Sequence, residues 1–288
     1  MPTFYYSMAR LRYLWAVGSL GGFWYNAKMT AVFFGTSKYA LPVLESLKAN
    51  FDLKLVVVMP DKPTGRKQAL TPCATKVWAQ ENKIPNSLEL TVDCDLGIVA
   101  DYGRIIKKEI FERPKLGMFN LHFSKLPEFR GPSPVQFTLL RGDKTAWVTI
   151  FKLKHYPELH IKMDSGPILW QKGYPVNPTE TTESLYTKLF ESVARELPGI
   201  DFKGPLTEQD HQMATYTRFL TRDDGFVDYA KLLEPKAYNL FRAYHPWPGL
   251  WTIKDGKRMK VLKCHLEGNR VVIDLIQFEG KKPQTFIP

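Results

Sequence analysis

The stretch Met29–Leu47, MTAVFFGTSKYALPVLESL, decides the fold. Ala31–Thr36 is a short apolar run ending at Gly35 and Thr36, and the residues after Tyr39 carry their apolar side chains at helical spacing. A buried strand feeding directly into a helix is the first half of a βαβ unit. The same pattern recurs downstream. Leu53–Pro60 (LKLVVVMP) is a second buried run, Pro72–Lys83 (PCATKVWAQENK) reads as a helix, and Asp95–Gly103 (DLGIVADYG) is a third strand. Parallel neighbours need crossover helices on both faces, so the expected class is α/β, a Rossmann-like, doubly wound, mostly parallel sheet.

Further along come Gly117–Phe123 (GMFNLHF), a Pro-rich loop, a helix over Pro134–Arg141, and a strand pair, Ala146–Leu153 and Gly166–Val176. A helix carrying Ser184–Leu197 closes the unit, and Gly204-Pro205 breaks the pattern as a linker. Beyond it, Leu233–Gly249 predicts a helix running into a turn, and Leu250–Phe278 predicts strands joined at Asp255-Gly256 and Gly268-Asn269. Lone hairpins are marginal in water, so a small OB-like β-barrel is the expected closure. The organisation is an extension over 1–28, a first domain over 29–203 and a second over 204–288.

With 288 residues, 44% of them hydrophobic, the chain can bury the cores of two such domains. Forty Lys and Arg against 29 acids leave a formal charge of +11, which favours a polyanionic partner without naming one. Cys73, Cys94 and Cys264 stand in no CxxC spacing, which points to a reducing compartment and away from a zinc site. Residues 1–28 contain no acid and have an aromatic, apolar middle too short to span a bilayer. A start set upstream of the fold, an organellar transit peptide and a membrane or partner anchor all remain open for them.

Asn120 and His122 point to one face of their strand, at the carboxyl end where open α/β sheets bind ligands. A strand His is commonly structural, but the loop that follows is stiffened by Pro127, Pro132 and Pro134 and relaxed at Gly131, which suits an active-site wall. Asp164 sits in an Asp-Ser-Gly sequence that any plain turn could use. Set against His122, it would hold one tautomer and favour an imidazolium available to an oxyanion.

These residues resemble those of the folate-dependent formyltransferases. The resemblance runs from Met29 over nearly the whole chain, through VFFGTSKYALPVLESL, MPDKPTGRKQAL, VADYG, NLHFSKLPEFRGPSPVQ, MDSGPIL, QDHQMATYTRFLTRDDGFVDYAK and YHPWPGLWTIKDGKRMKVLKC. It implies transfer of the formyl group of 10-formyltetrahydrofolate to the amino group of methionyl-initiator tRNA, without a metal. The family's catalytic trio falls on Asn120, His122 and Asp164. Its folate pocket falls on Ala100, Asp101, Tyr102, Gly103, Ile105, Ser124, Leu126 and Pro127, and its tRNA-inserting loop on Arg66 and Lys67. By the same resemblance residues 29–203 are the formyltransferase domain and 204–288 the tRNA-binding one, in a cytoplasmic monomer with no membrane partner. The mitochondrial matrix is the alternative if residues 1–28 are a transit peptide.

The departures are local. Gln68 and Ala69 stand where the family's loop is basic, KHYPELHI (154–161) lengthens the path from His122 to Asp164, and the second domain ends early. The competing readings are an N-formyltransferase acting on an amino-sugar nucleotide or another small amine, and a non-catalytic RNA-binding relative.

Overall fold

A computed structural model describes residues 28–65, 68–156 and 163–287. The extension over 1–27, the loop residues Arg66 and Lys67, and positions 157–162 of the inserted stretch lie outside the described residues.

The first unit runs β1 (Thr30–Phe34), α1 (Leu41–Asn50), β2 (Asp52–Val57), β3 (Lys62–Thr64), β4 (Ala69–Thr71), α2 (Ala74–Glu81), β5 (Asn86–Ser87), β6 (Leu96–Val99), α3 (Lys108–Phe111), β7 (Met118–His122), α4 (Pro134–Arg141), β8 (Thr145–Lys152), β9 (Ile168–Pro175) and α5 (Thr182–Glu196). Seven strands form one sheet in the order β5-β2-β1-β6-β7-β8-β9. The five from β5 to β7 are parallel, while β8 and β9 are antiparallel. The reversal has a simple cause. The loop after His122 and the short α4 deliver the chain back to the end where β7 finished, so β8 starts there and runs the other way. His122 therefore closes the last parallel strand.

Both sheet faces are covered. On one, Phe33, Phe119, Leu121 and Ile150 pack against Val43, Leu44 and Leu47 of α1 and Leu185, Leu189 and Phe190 of α5. On the other, a smaller cluster joins Val32, Phe34, Val99 and Met118 to Tyr102 and Phe111. Helix α5 forms because Thr181 and Ser184 cap its start reciprocally and Leu185, Leu189 and Val193 share one buried stripe. Each fully buried leucine contributes about 1.5–3 kcal/mol, so Leu189→Ala would cost about 2–5 kcal/mol with its cavity.

The second unit comprises α6 (Pro235–Tyr244), β10 (Leu250–Lys254), β11 (Lys257–Glu267), β12 (Arg270–Phe278) and β13 (Gln284–Thr285), the strands forming an antiparallel sheet in that order. The tight hairpins expected at Asp255-Gly256 and Gly268-Asn269 join β10 to β11 and β11 to β12. No pairing of β10 with β13 closes a barrel among the described residues. Helix α6 covers the apolar face instead. It serves both units: Ala237, Tyr238 and Phe241 join the core of the small sheet, while Ala243 and Tyr244 join the main core.

Candidate active site

Strand β7 places its residues alternately, with Phe119 and Leu121 in the main core and Asn120 and His122 on the opposite face. The His122 ring is 6% exposed. Its Nε2 lies 2.9 Å from the carbonyl oxygen of Phe129, which can only accept, so Nε2 carries a proton. Nδ1 then becomes the ring atom that can take up or present a second proton. It faces Asp164, whose Oδ2 is 3.7 Å away. The half-buried Asn120 side chain makes no hydrogen bond among the described residues, so its amide keeps its donors for something else.

Asp164 is strained and is held in place by two contacts. Its backbone is in the left-handed region, φ 56°, a conformation that costs energy for a non-glycine residue. Its Oδ2 accepts the Gly131 N–H at 2.7 Å. Its carbonyl accepts from Gln209 Nε2 at 2.9 Å. Two glycines make this approach feasible. A Cβ on Gly166 would fall 1.9 Å from the Lys152 carbonyl oxygen, and Gly131, at φ 110°, would push a Cβ to 2.8 Å from the Thr217 carbonyl oxygen. An amide, an imidazole and a carboxylate thus converge beyond the carboxyl ends of the parallel strands, an arrangement able to stabilise an oxyanion and accept a proton.

Comparison with known proteins bears on that geometry. The sequence profile described as "Formyl transferase" matches residues 28–198, and that of "Formyl transferase, C-terminal domain" matches residues 220–271. The chain belongs to the formyl transferase family. Among its relatives, the methionyl-tRNA formyltransferase of Halalkalibacterium halodurans is 34% identical over 252 residues, covering 81% of this chain and 77% of the relative. Two solved structures share the fold. The methionyl-tRNA formyltransferase from Clostridium thermocellum has a TM-score of 0.59 at 18% identity, with 87% of this chain and 98% of that one covered. The N-formyltransferase from Helicobacter canadensis, solved with folinic acid and dTDP-3-aminofucose, has a TM-score of 0.62 at 21% identity, with 88% and 93% covered.

The residues expected of a formyl transferase folate pocket flank β7 on two neighbouring loops. Ala100 is buried at the end of β6 and accepts its place from the backbone of Phe34, to whose carbonyl it donates at 2.9 Å. Asp101 takes φ 52° and Gly103 φ 77°, turning the chain outward, and Ile105 is 91% exposed at the rim. Tyr102 turns back into the smaller core, edge-on to Phe34 at 5.3 Å. Surrounding protein pushes the Asp101 carboxyl pKa up, with the Ser37 hydroxyl opposing, and the solvent-facing part of the side chain blunts the effect. On the other loop, the Ser124 hydroxyl is spent on the Glu128 carbonyl at 2.6 Å and Leu126 is buried, while Pro127 is half-buried after a cis peptide bond. Arg66 and Lys67 lie outside the described residues. Around them β3 and β4 form a hairpin exposed on both faces, and Gln68 Nε2 closes its turn onto the Gly65 carbonyl at 3.0 Å.

Sequence reasoning missed a strap over residues 207–217, which the linker at Gly204 assigns to the second unit. It lies on the first. Thr207 exchanges backbone hydrogen bonds with Ile168 of β9 at 2.7 and 2.8 Å, and Thr215 and Thr217 bracket Arg130 on the loop after β7 at 2.9 and 2.7 Å. The described start of the inserted stretch docks there too, with Lys154 and Tyr156 both on Glu208. The available signal was composition: Gln, His and Thr clustered in QDHQMATYT can bond a Gly- and Pro-rich loop, but carry no periodicity.

Proposed function

We propose that the chain transfers the formyl group of 10-formyltetrahydrofolate to the amino group of methionyl-initiator tRNA. The observation that carries this is the unspent Asn120 amide on the same strand face as His122, with Asp164 Oδ2 3.7 Å from the ring. The amine attacks the formyl carbon and negative charge grows on the formyl oxygen, where the Asn120 N–H and a protonated His122 Nδ1 can donate. The ammonium proton passes to Asp164 directly or through water. The bond from carbon to the folate N10 breaks, and that nitrogen takes up a proton. The Ala100–Ile105 and Ser124–Pro127 loops are the folate contacts in this reading.

A tRNA acceptor is favoured over a small amine by the second unit, where Arg222, Trp247, Arg258 and Lys260 line one groove of about 250 Å³. Arg258 stacks 4.0 Å over the Trp251 ring, a pairing of cation and aromatic face suited to phosphate and base. A cytoplasmic monomer completes the reading, the compartment resting on the three free thiols Cys73, Cys94 and Cys264.

The test is a formyl-transfer assay offering charged initiator tRNA, an amino-sugar nucleotide and glycinamide ribonucleotide side by side. Transfer to the tRNA is expected, with His122→Ala and Asn120→Ala each losing about 10²- to 10³-fold in kcat. Transfer to a small amine alone would overturn the acceptor, and near-normal transfer by His122→Ala would overturn the site.

A further inference from the structure

Arg130 is 0% exposed, yet nothing in the proposed transfer uses it. Its guanidinium donates Nε and Nη2 to Gln209 Oε1 at 3.1 and 2.7 Å, and Nη2 also to His211 Nδ1 at 2.8 Å. A guanidinium has no acceptor, so that ring nitrogen accepts. Gln209, itself 6% exposed, turns its other end towards the site. Its Nε2 donates to the carbonyls of Asp164 at 2.9 Å and Gly166 at 2.6 Å. The carboxylate of the same Asp164 is held by Gly131, the residue after Arg130. Asp164 is thus gripped at both ends by one closed set of contacts, part from the loop after β7 and part from the strap.

We propose that Gln209 is a positioning residue for Asp164, with Arg130 fixing the orientation of its amide. The reasoning is about backbone conformation. A left-handed aspartate is held only if its surroundings over-determine it. The Asp164–Gly166 turn carries two carbonyls that, among the described residues, Gln209 alone ties down through its side chain, and Arg130 decides which end of that amide is oxygen. Rotating the amide by half a turn would set its NH2 group against the guanidinium, donor against donor. The strap is in turn buttressed from the inserted stretch, where Tyr156 packs edge-on to His211 at 5.4 Å and Lys154 pairs with Glu208 at 2.7 Å. The insertion, which lengthens the path between His122 and Asp164, supplies contacts to the element that fixes Asp164.

This rests on the reading of Asn120, His122 and Asp164 as the transfer site, so the test carries two readouts on the full-length protein. Gln209→Glu keeps an acceptor for Arg130 and loses the donors to Asp164 and Gly166; Gln209→Met loses both and adds no charge. In formyl transfer, Gln209→Glu should lower kcat about 10²-fold, the cost of a misplacement of about 1 Å, with the KM for folate and for tRNA within about twofold of wild type. The loss should vanish in an Asp164→Asn background, because Gln209 acts through Asp164. Wild-type kcat in Gln209→Glu, or an equal loss in the Asp164→Asn background, overturns the proposal. The second readout is the His122 Cε1–H signal by NMR at fixed pH. Both variants should move it in the direction that Asp164→Asn moves it, and a signal unmoved in either variant that folds overturns the proposal. If the wild-type protein formylates none of the amines offered, the transfer reading fails, and the His122 signal still decides the role of Gln209.

Discussion

At the scale of single residues, Gly166 separates the demands of packing from those of chemistry. No side chain fits where its Cβ would lie 1.9 Å from the Lys152 carbonyl oxygen, so Gly166→Ala must displace either the end of β8 or the turn that carries Asp164. A loss of about 1–3 kcal/mol in urea unfolding is expected, typical of overpacking. The larger effect should be on kcat, about 10²-fold, because the turn yields more readily than a paired strand and takes the carboxylate with it. Asn120 and His122 were legible in the sequence for a reason that also makes them robust: a two-residue spacing in a strand fixes a shared face whatever the rest of the fold does. Asp164 was legible from its own residues as a turn and from the resemblance as a partner of His122, since spacing alone cannot show an approach that depends on β8 reversing the sheet.

At the scale of elements, the strap and the short turn after it show where sequence reading runs out. The runs that became β1 and β6 are short and almost wholly apolar, β2 and β7 keep apolar residues around Lys54 and around Asn120 and His122, and α4 is bracketed by Pro134 at its start and Gly142 in the left-handed region at its end. The strap has no such pattern, because its hydrogen bonds go to the loop after β7 and to β9, which the residues of the strap do not specify. Its far end is anchored by Asp224, which takes the Thr221 N–H at 2.6 Å and pairs with Arg218. The Arg218 hydrogen bond chiefly, and then those of Thr221, hold the Asp224 carboxyl well below the usual carboxylate range, with burial opposing. A depressed folded-state value stabilises the fold above the ordinary aspartate pKa of about 4, and the contribution is lost as pH falls below it. Asp224→Asn should therefore cost about 1–2 kcal/mol at pH 7, and thermal melts between pH 7 and pH 3 should show the gap to wild type closing on the acid side. A gap constant with pH would place the cost in packing instead.

At the scale of the whole molecule, the formal charge of +11 and the groove of Arg222, Arg258 and Lys260 imply a strong salt dependence for any tRNA complex. Replacing Arg258 and Lys260 together by Ala should flatten the slope of log affinity against log salt by about 2, one unit for each lost phosphate contact, and leave the folate KM unchanged. An unchanged slope in filter-binding titrations would remove these residues from the RNA surface. The whole-molecule plan was the more legible part of the sequence, since two textures of pattern meet near Gly204, but the seam between the units was not. Helix α6 gives residues to both cores, and the strap crosses back over the first unit before the second begins. A chimaera that takes one unit from this chain meets that arrangement at its junction. A splice at Gly204 would separate Gln209 and Thr217 from the Arg130 loop they hold, splitting a single lock, whereas a splice after Thr217 would move the small antiparallel sheet and leave the lock with its own key.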